Sequence, residues 1–226
     1  MRRLIICLCL PLALAACGAQ PRWAPDEEVA RARYVHSGPP ELTLFTVIDK
    51  SSGAGAHSAL MINGTERLMF DPAGSWYLPS LAERNDVHRG MTDRMVAFYI
   101  DYHARESYDV IEQRLVVTPE QALRAQELAL NYGAVPRAHC AQSVSSILRK
   151  VPGFEKIPAT YGPKVLSRAF GKYPGVKSRT ITDTDADDNH GVLMIQLDDP
   201  RAAEIMAKNA ARDAANTAAL EAATTE

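Results

Sequence analysis

Residues 55–71, Gly-Ala-His-Ser-Ala-Leu-Met-Ile-Asn-Gly-Thr-Glu-Arg-Leu-Met-Phe-Asp, predict the hairpin around which the fold is built. An apolar strand over His57–Ile62 meets the turn residues 63–65, and a return strand follows at Arg67–Phe70. With a three-residue loop, residue 62 pairs with residue 66 and residue 57 with residue 71, which places His57 and Asp71 on one face of the sheet. A two-residue turn would place Asp71 on the opposite face, because a shift of one residue reverses every side chain.

Further strands are predicted on both sides of this hairpin by alternating apolar and β-branched residues. They cover Leu42–Ile48, Met95–Tyr102, Ile111–Val117 and Gly191–Leu197. Residues 71–92 show no such period and are interpreted as a loop. The hairpin therefore belongs to an antiparallel sheet of five or six strands.

Helices are predicted mainly after the sheet. Thr118 and Gln121 form a capping box around Pro119, so a helix begins there, runs to Tyr132 and ends at Gly133. A second helix begins near His139 or Cys140 and ends at residues 151–152, and a third covers about residues 164–170. Near the N-terminus, Asp26 is predicted to cap a short helix that runs through about residue 33. The fold class is α+β, an antiparallel sheet packed against helices.

The N-terminus is typical of a bacterial lipoprotein. Arg2 and Arg3 precede the apolar run Leu4–Ala13, which is too short to span a bilayer. The box Leu-Ala-Ala-Cys at 14–17 then predicts cleavage after residue 16 and lipidation of Cys17. Several acyl chains give a durable membrane anchor. Gly18 stands where Asp would signal inner-membrane retention, which favours the outer membrane.

Charge and cysteine content narrow the function. Without Arg2 and Arg3 the chain has 23 basic against 27 acidic residues, and no basic run indicates nucleic-acid binding. Three of the four cysteines (Cys7, Cys9 and Cys17) belong to the signal or to the lipid attachment. The remaining Cys140 is a single thiol in an oxidising compartment, so it is inert in the core, paired with another chain, or kept for its reactivity.

Cys140 is predicted in the first turn of an amphipathic helix, a position that favours the thiolate. His57, at the entrance of its strand, offers a base, and Asp71 offers a partner that orients the base. Each residue also has a purely structural interpretation: Cys140 as the first core residue of its helix, His57 as a surface or hydrogen-bonded structural residue, and Asp71 as a turn former. Glu66, nearer the turn, is a weaker alternative as the orienting residue.

The order of these motifs resembles the circularly permuted papain-like superfamily, which includes NlpC-like peptidoglycan amidases and lecithin:retinol acyltransferase-like proteins. The resemblance is carried by residues 55–60, residues 139–144 and residues 158–166, and it covers about residues 42–170. It implies Cys140 as nucleophile, His57 as base and Asp71 as orienting residue. One departure is His139, which stands where relatives often have Asn.

These observations predict an envelope lipoprotein with a papain-like thiol hydrolase or acyltransferase domain, acting on an amide of peptidoglycan stem peptides. Two alternatives stay open: a non-catalytic module that binds muropeptides or a protein, and a lipid acyltransferase. The predicted organisation is a signal peptide at 1–16, a lipidated tether at 17–40, the hydrolase domain at 41–199 and an Ala-rich tail at 200–226. No cofactor is predicted, and no metal, because His88, His103 and His190 lack the close spacing of a zinc site.

Overall fold

The computed structural model describes residues 18–19, 21–78 and 81–187, and the chain divides into two units, residues 1–184 and residues 185–226. Every helix and strand described here belongs to the first unit. The predicted signal peptide, Cys17, the strand predicted at 191–197 and the tail at 200–226 lie outside the described residues. Within the described ranges, no helix has the length and apolar character needed to cross a membrane.

The fold is α+β, as predicted, and its centre is an antiparallel sheet of seven strands in the order β4-β5-β3-β2-β1-β6-β7. The strands are β1 Glu41–Asp49, β2 Gly55–Asn63, β3 Arg67–Phe70, β4 Glu83–Arg84, β5 Val87–His88, β6 Tyr108–Val116 and β7 Lys177–Ile181. The helices of the described part are α1 Asp26–Arg31, α2 Asp93–His103, α3 Pro119–Leu130, α4 Cys140–Leu148 and α5 Pro163–Phe170.

One face of the sheet forms the main core. Leucine, isoleucine and phenylalanine side chains of β1, β2 and β3 pack there against α3, α4 and α5, and the contacts include Leu44, Leu60, Phe70, Val144 and Phe170. Each such fully buried side chain contributes about 1.5–3 kcal/mol through the hydrophobic effect. This packing fixes α4 against β2, and it therefore fixes the position of Cys140.

The opposite face of the sheet contacts α2. The ring of Tyr99 on α2 lies 5.4 Å from the ring of Phe45 on β1. Residues Asp93–His103 form the helix α2, so the strand predicted at Met95–Tyr102 is wrong. Thr92 accepts a hydrogen bond from the Met95 amide and caps a helix instead. The apolar residues of this segment fit both periods, and the cap decides between them.

The hairpin of β2 and β3 has a three-residue loop, as predicted, but in a different register. Asn63 pairs with Arg67 and Leu60 with Phe70, so the loop is residues 64–66 and the predicted pairing of 62 with 66 is wrong. The displacement is two residues, so the side-chain faces are unchanged. His57 and Asp71 therefore still lie on one face.

Other predictions are confirmed or corrected at the element boundaries. The strands β1 and β6 and the helices α3, α4 and α5 lie where the sequence placed them, and the Thr118–Gln121 capping box is present. Pro25 rather than Asp26 occupies the cap position of α1. The loop predicted at 71–92 contains the short strands β4 and β5, and the polar edge strand β7 was not predicted. These three strands bring the sheet to seven.

Candidate active site

The candidate site lies beside β2, at the point where β3 ends. Phe70 is the last residue of β3 and pairs with Leu60, so the residues of β2 before Leu60 have no partner on β3. Asp71 follows β3 directly, and the first residue of α4 reaches the same place. The early end of β3 leaves room for side chains that approach β2 from different elements.

His57 and Asp71 meet at this place. Nε2 of His57 lies 2.7 Å from Oδ1 of Asp71, and the Asp71 side chain is fully buried. A buried carboxylate needs a charged or hydrogen-bonding partner to offset the loss of water. The structure thus brings together the predicted base and the predicted orienting residue.

Cys140 is the first residue of α4, and its side chain is buried, with 7% of the residue exposed. The ring of His57 and the backbone amides of Ser58 and Ala141 lie near enough to the sulfur to lower its pKa. Nε2 of His57 is bonded to Asp71, which leaves Nδ1 for the thiol. All three predicted residues therefore converge.

The surroundings favour a charged form of all three groups. Burial raises the pKa of Cys140, but the His57 hydrogen bond and charge, together with the two amides, lower it below its ordinary value. Burial lowers the pKa of His57, but the Asp71 carboxylate and Cys140 raise it well above its ordinary value. Burial raises the pKa of Asp71, but the neighbouring His57 lowers it by more, so the pKa lies well below its usual range. The site favours thiolate, imidazolium and carboxylate side by side.

Tyr99 and His103 of α2 complete the cluster, and sequence reasoning missed both. The Tyr99 hydroxyl donates a 2.7 Å hydrogen bond to Oδ1 of Asp71. The His103 ring stacks on the His57 ring at 5.7 Å with an interplanar angle of 5°. Residues four apart share a face of a helix, whereas the predicted strand gave no reason to associate these two with the site.

His57, Asp71 and His103 also place three possible metal ligands within 4.8 Å of one another. The sequence treated His103 as a scattered histidine, and the structure places it beside His57. The nearest ligand atoms of His57 and Asp71 are hydrogen-bonded to each other. A metal held by those two atoms would have to replace their hydrogen bond.

Asp71 is held by a close contact with the following turn. A Cβ atom at Gly74 would lie 1.9 Å from Oδ2 of Asp71, and the Gly74 amide donates to the Asp71 carbonyl. Ordinary side chains never approach this closely, so position 74 has no room for one while Asp71 keeps its place. Glycine is required here for lack of space. Backbone conformation is not the reason, because the φ angle of Gly74 is not in the left-handed region.

Two other candidates lie outside the cluster. Glu66, the alternative orienting residue, forms an ion pair with Arg89 instead of contacting His57. His139 hydrogen-bonds through Nδ1 to the Arg137 carbonyl at 2.8 Å, and its ring packs edge-on against Tyr161. His139 therefore has partners of its own at the start of α4.

Comparison with known proteins gave no match to any family model, curated protein or solved structure. The resemblance to the permuted papain-like superfamily therefore stays a prediction from the order and spacing of motifs.

Proposed function

We propose that this chain is a lipid-anchored cysteine hydrolase or acyltransferase of the bacterial envelope that acts on amide bonds of peptidoglycan stem peptides. The observation that supports the proposal most directly is the convergence of Cys140, His57 and Asp71 in one cluster. A structural cysteine in a core needs no imidazole and no pair of amides at its sulfur.

In the proposed reaction, the Cys140 thiolate attacks the amide carbonyl and forms a tetrahedral adduct. The protonated His57 gives its proton to the departing amine, and a thioester to Cys140 remains. His57 then takes a proton from water or from an acceptor amine, which attacks the thioester and regenerates the thiolate. Asp71 keeps the imidazole oriented through Nε2, as the third residue of a triad does.

The start of α4 supplies the positive end of a helix to this chemistry. No side chain caps the helix, because His139 at the cap position makes no cap hydrogen bond. The Cys140 amide is the donor that we assign to the oxyanion of the adduct. The amides of Ser58 and Ala141 lower the pKa of the Cys140 thiol itself.

The predicted lipid on Cys17 places the domain at the membrane, facing the periplasm. Peptidoglycan is the amide-rich polymer within reach of such an anchor. Residues 22–40 of the predicted tether pack against the domain, since Trp23 pairs with Arg84 and the Tyr34 carbonyl accepts from the Arg67 amide, so they hold the domain close to the anchor. The substrate class in this proposal rests on that location and on the resemblance, whereas the reaction type rests on the site.

The test measures the reactivity of Cys140 in the full chain. Iodoacetamide labelling is followed on the tryptic peptide 138–149, which separates Cys140 from every other cysteine. At about pH 6 we expect Cys140 to react about tenfold faster than a free thiol, because a lowered pKa gives more thiolate. His57→Ala should remove most of this advantage, and His139→Ala, a matched histidine beside Cys140, should not.

The same proteins are then incubated with purified muropeptides, and new amine and carboxyl ends are sought by mass spectrometry. Cleavage that is lost in Cys140→Ala and in His57→Ala supports the hydrolase. If Cys140 reacts like a free thiol, or only after unfolding, the proposal fails and a non-catalytic envelope module takes its place.

A further inference from the structure

The turn between β4 and β5 has an unusual conformation. Arg84 pairs with Val87, so Asn85 and Asp86 form a two-residue hairpin loop. Both have positive φ angles, 46° and 66°, as a type I′ turn requires. Asn and Asp tolerate this backbone better than other residues with side chains. The turn is thereby able to direct the Asp86 carboxylate toward neighbouring loops.

Asp86 forms hydrogen bonds with two separate loops. Its Oδ1 accepts from the Ala73 amide at 3.2 Å, and its Oδ2 accepts from the Val135 amide at 2.7 Å. Its backbone carbonyl also accepts from the Asp71 amide at 2.8 Å. Asp71 and Ala73 belong to the turn after β3, and Val135 belongs to the loop that leads to Cys140.

We infer that Asp86 is a positioning residue that ties the Asp71 turn to the loop before Cys140 and so sets the geometry of the cluster. The inference rests on the proposed function, since it assigns a role in that same site. Asp86 acts through the two loops, by its hydrogen bonds to Ala73 and Val135.

Both loops contain strained backbone that has to be held in place. Ala73, two residues after Asp71, has a φ angle of 55°, and Ala138, two residues before Cys140, has a φ angle of 64°. Alanine is disfavoured in this left-handed region, so such residues persist only where the surroundings fix them. A carboxylate with one oxygen on each loop supplies this fixation from a single side chain.

The surroundings of Asp86 oppose the ionisation of its carboxyl group. Burial raises its pKa to about 6, the Val135 and Ala73 amides oppose that rise, and the Glu83 and Asp71 carboxylates add to it. A protonated carboxyl keeps one acceptor oxygen and turns an O–H toward the other amide. The tie is therefore complete only when Asp86 is ionised.

The test compares Cys140 labelling in wild type, Asp86→Asn and the control Asn85→Gly, all as full chains. Asn at position 86 accepts from one amide and opposes the other with its own N–H groups. At about pH 8 we expect Asp86→Asn to label about tenfold more slowly, and the ratio to wild type should approach one below about pH 5. Asn85→Gly keeps the turn conformation and should label like wild type at each pH.

A second measurement needs no variant. In wild type, the backbone amide resonances of Ala73 and Val135 should shift together, with one midpoint near pH 6. Independent titration of the two amides, or a labelling ratio that does not change with pH, would overturn the inference. If His57→Ala is slow while Asp86→Asn equals wild type, the inference alone fails. If wild type and His57→Ala label alike, the proposed function fails as well.

Discussion

Oδ1 of Asp71 is the acceptor for the Tyr99 hydroxyl, at 2.7 Å, and the same oxygen faces Nε2 of His57. One buried oxygen thus serves two donors from different elements. The hydroxyl fixes the carboxylate on the side of α2, and the carboxylate fixes the imidazole on β2. The orientation of the base therefore depends on a helix that touches neither the thiol nor the substrate in the proposed reaction.

Tyr99→Phe should lower both stability and reactivity. The variant removes one hydrogen bond to a buried charged acceptor, which costs about 1–3 kcal/mol of unfolding free energy. A less firmly held carboxylate should slow muropeptide cleavage about fivefold, the equivalent of about 1 kcal/mol. Urea unfolding and turnover measure the two effects.

The matched control is Tyr102→Phe. Tyr102 lies on the same helix, but its hydroxyl bonds to Ser75 on the surface at 3.1 Å. Equal losses in the two variants would contradict the role given to the Tyr99–Asp71 bond.

Gly74→Ala should displace the Asp71 carboxylate, because the new methyl group would lie 1.9 Å from its present Oδ2 position. Overpacking of this kind costs about 1–3 kcal/mol. We expect cleavage to fall by about tenfold or more, since the imidazole loses its oriented partner. A crystal structure of the variant with Asp71 unmoved would contradict this expectation.

Gly133→Ala separates instability from loss of the site. Gly133 has a φ angle of 88° and no neighbour within 4 Å of an added Cβ, so alanine there introduces backbone strain alone. The strain costs about 1 kcal/mol. Cleavage per folded molecule should be unchanged in this variant.

Turnover should have a bell-shaped pH dependence whose limbs follow the shifted groups. The acid limb should lie below the ordinary thiol pKa, because the pKa of Cys140 is lowered. The alkaline limb should lie above the ordinary imidazole pKa of about 6.5, because the pKa of His57 is raised and the reaction needs the imidazolium. An alkaline limb at the ordinary imidazole value would show that Asp71 does not stabilise the charged ring.

Folding should respond to pH through the same pair. The raised pKa of His57 contributes stability below its ordinary value, and that contribution is lost as the pH rises through the folded value. The lowered pKa of Asp71 contributes stability above about pH 4, and that contribution is lost in acid. The urea midpoint of wild type should exceed that of Asp71→Asn, and this difference, measured across pH, should be largest between these limits. A difference that does not vary with pH would contradict the pairing.

Cys17→Ser should abolish lipidation and leave the precursor uncleaved or mislocalised. The thiol is the atom to which the diacylglycerol is attached, and serine has none. Fractionation of membranes and mass spectrometry of the N-terminal peptide measure the result. An unmodified mature N-terminus in the wild type would refute the anchor.

The sequence predicted the parts of the fold that have a single period or a specific cap. The alternation in β1, the box around Thr118 and the amphipathic start of α4 all gave correct elements. The segment at 93–103 was ambiguous, since its apolar residues suit a strand or a helix until the Thr92 cap is recognised. This one error concealed Tyr99 and His103.

The candidate triad was accessible to sequence reasoning because hairpin geometry relates His57 to Asp71. The role inferred for Asp86 was not. Its partners lie 13 and 49 residues away, and its left-handed turn has the local appearance of an ordinary polar loop. Contacts of that range depend on how finished elements pack, and no local pattern reports them.

The four-residue length of β3 has a consequence for how such sites disappear in evolution. Two more residues of β3, paired with β2 in the present register, would lie opposite Ala59 and Ser58, and the sulfur would lose its approach to this part of β2. In the proposed reaction, a descendant with a longer third strand would keep Cys140, His57 and Asp71 in its sequence and yet be inert. The presence of the three residues is thus a poor indicator that a related chain is active, and the length of one short strand is a better indicator.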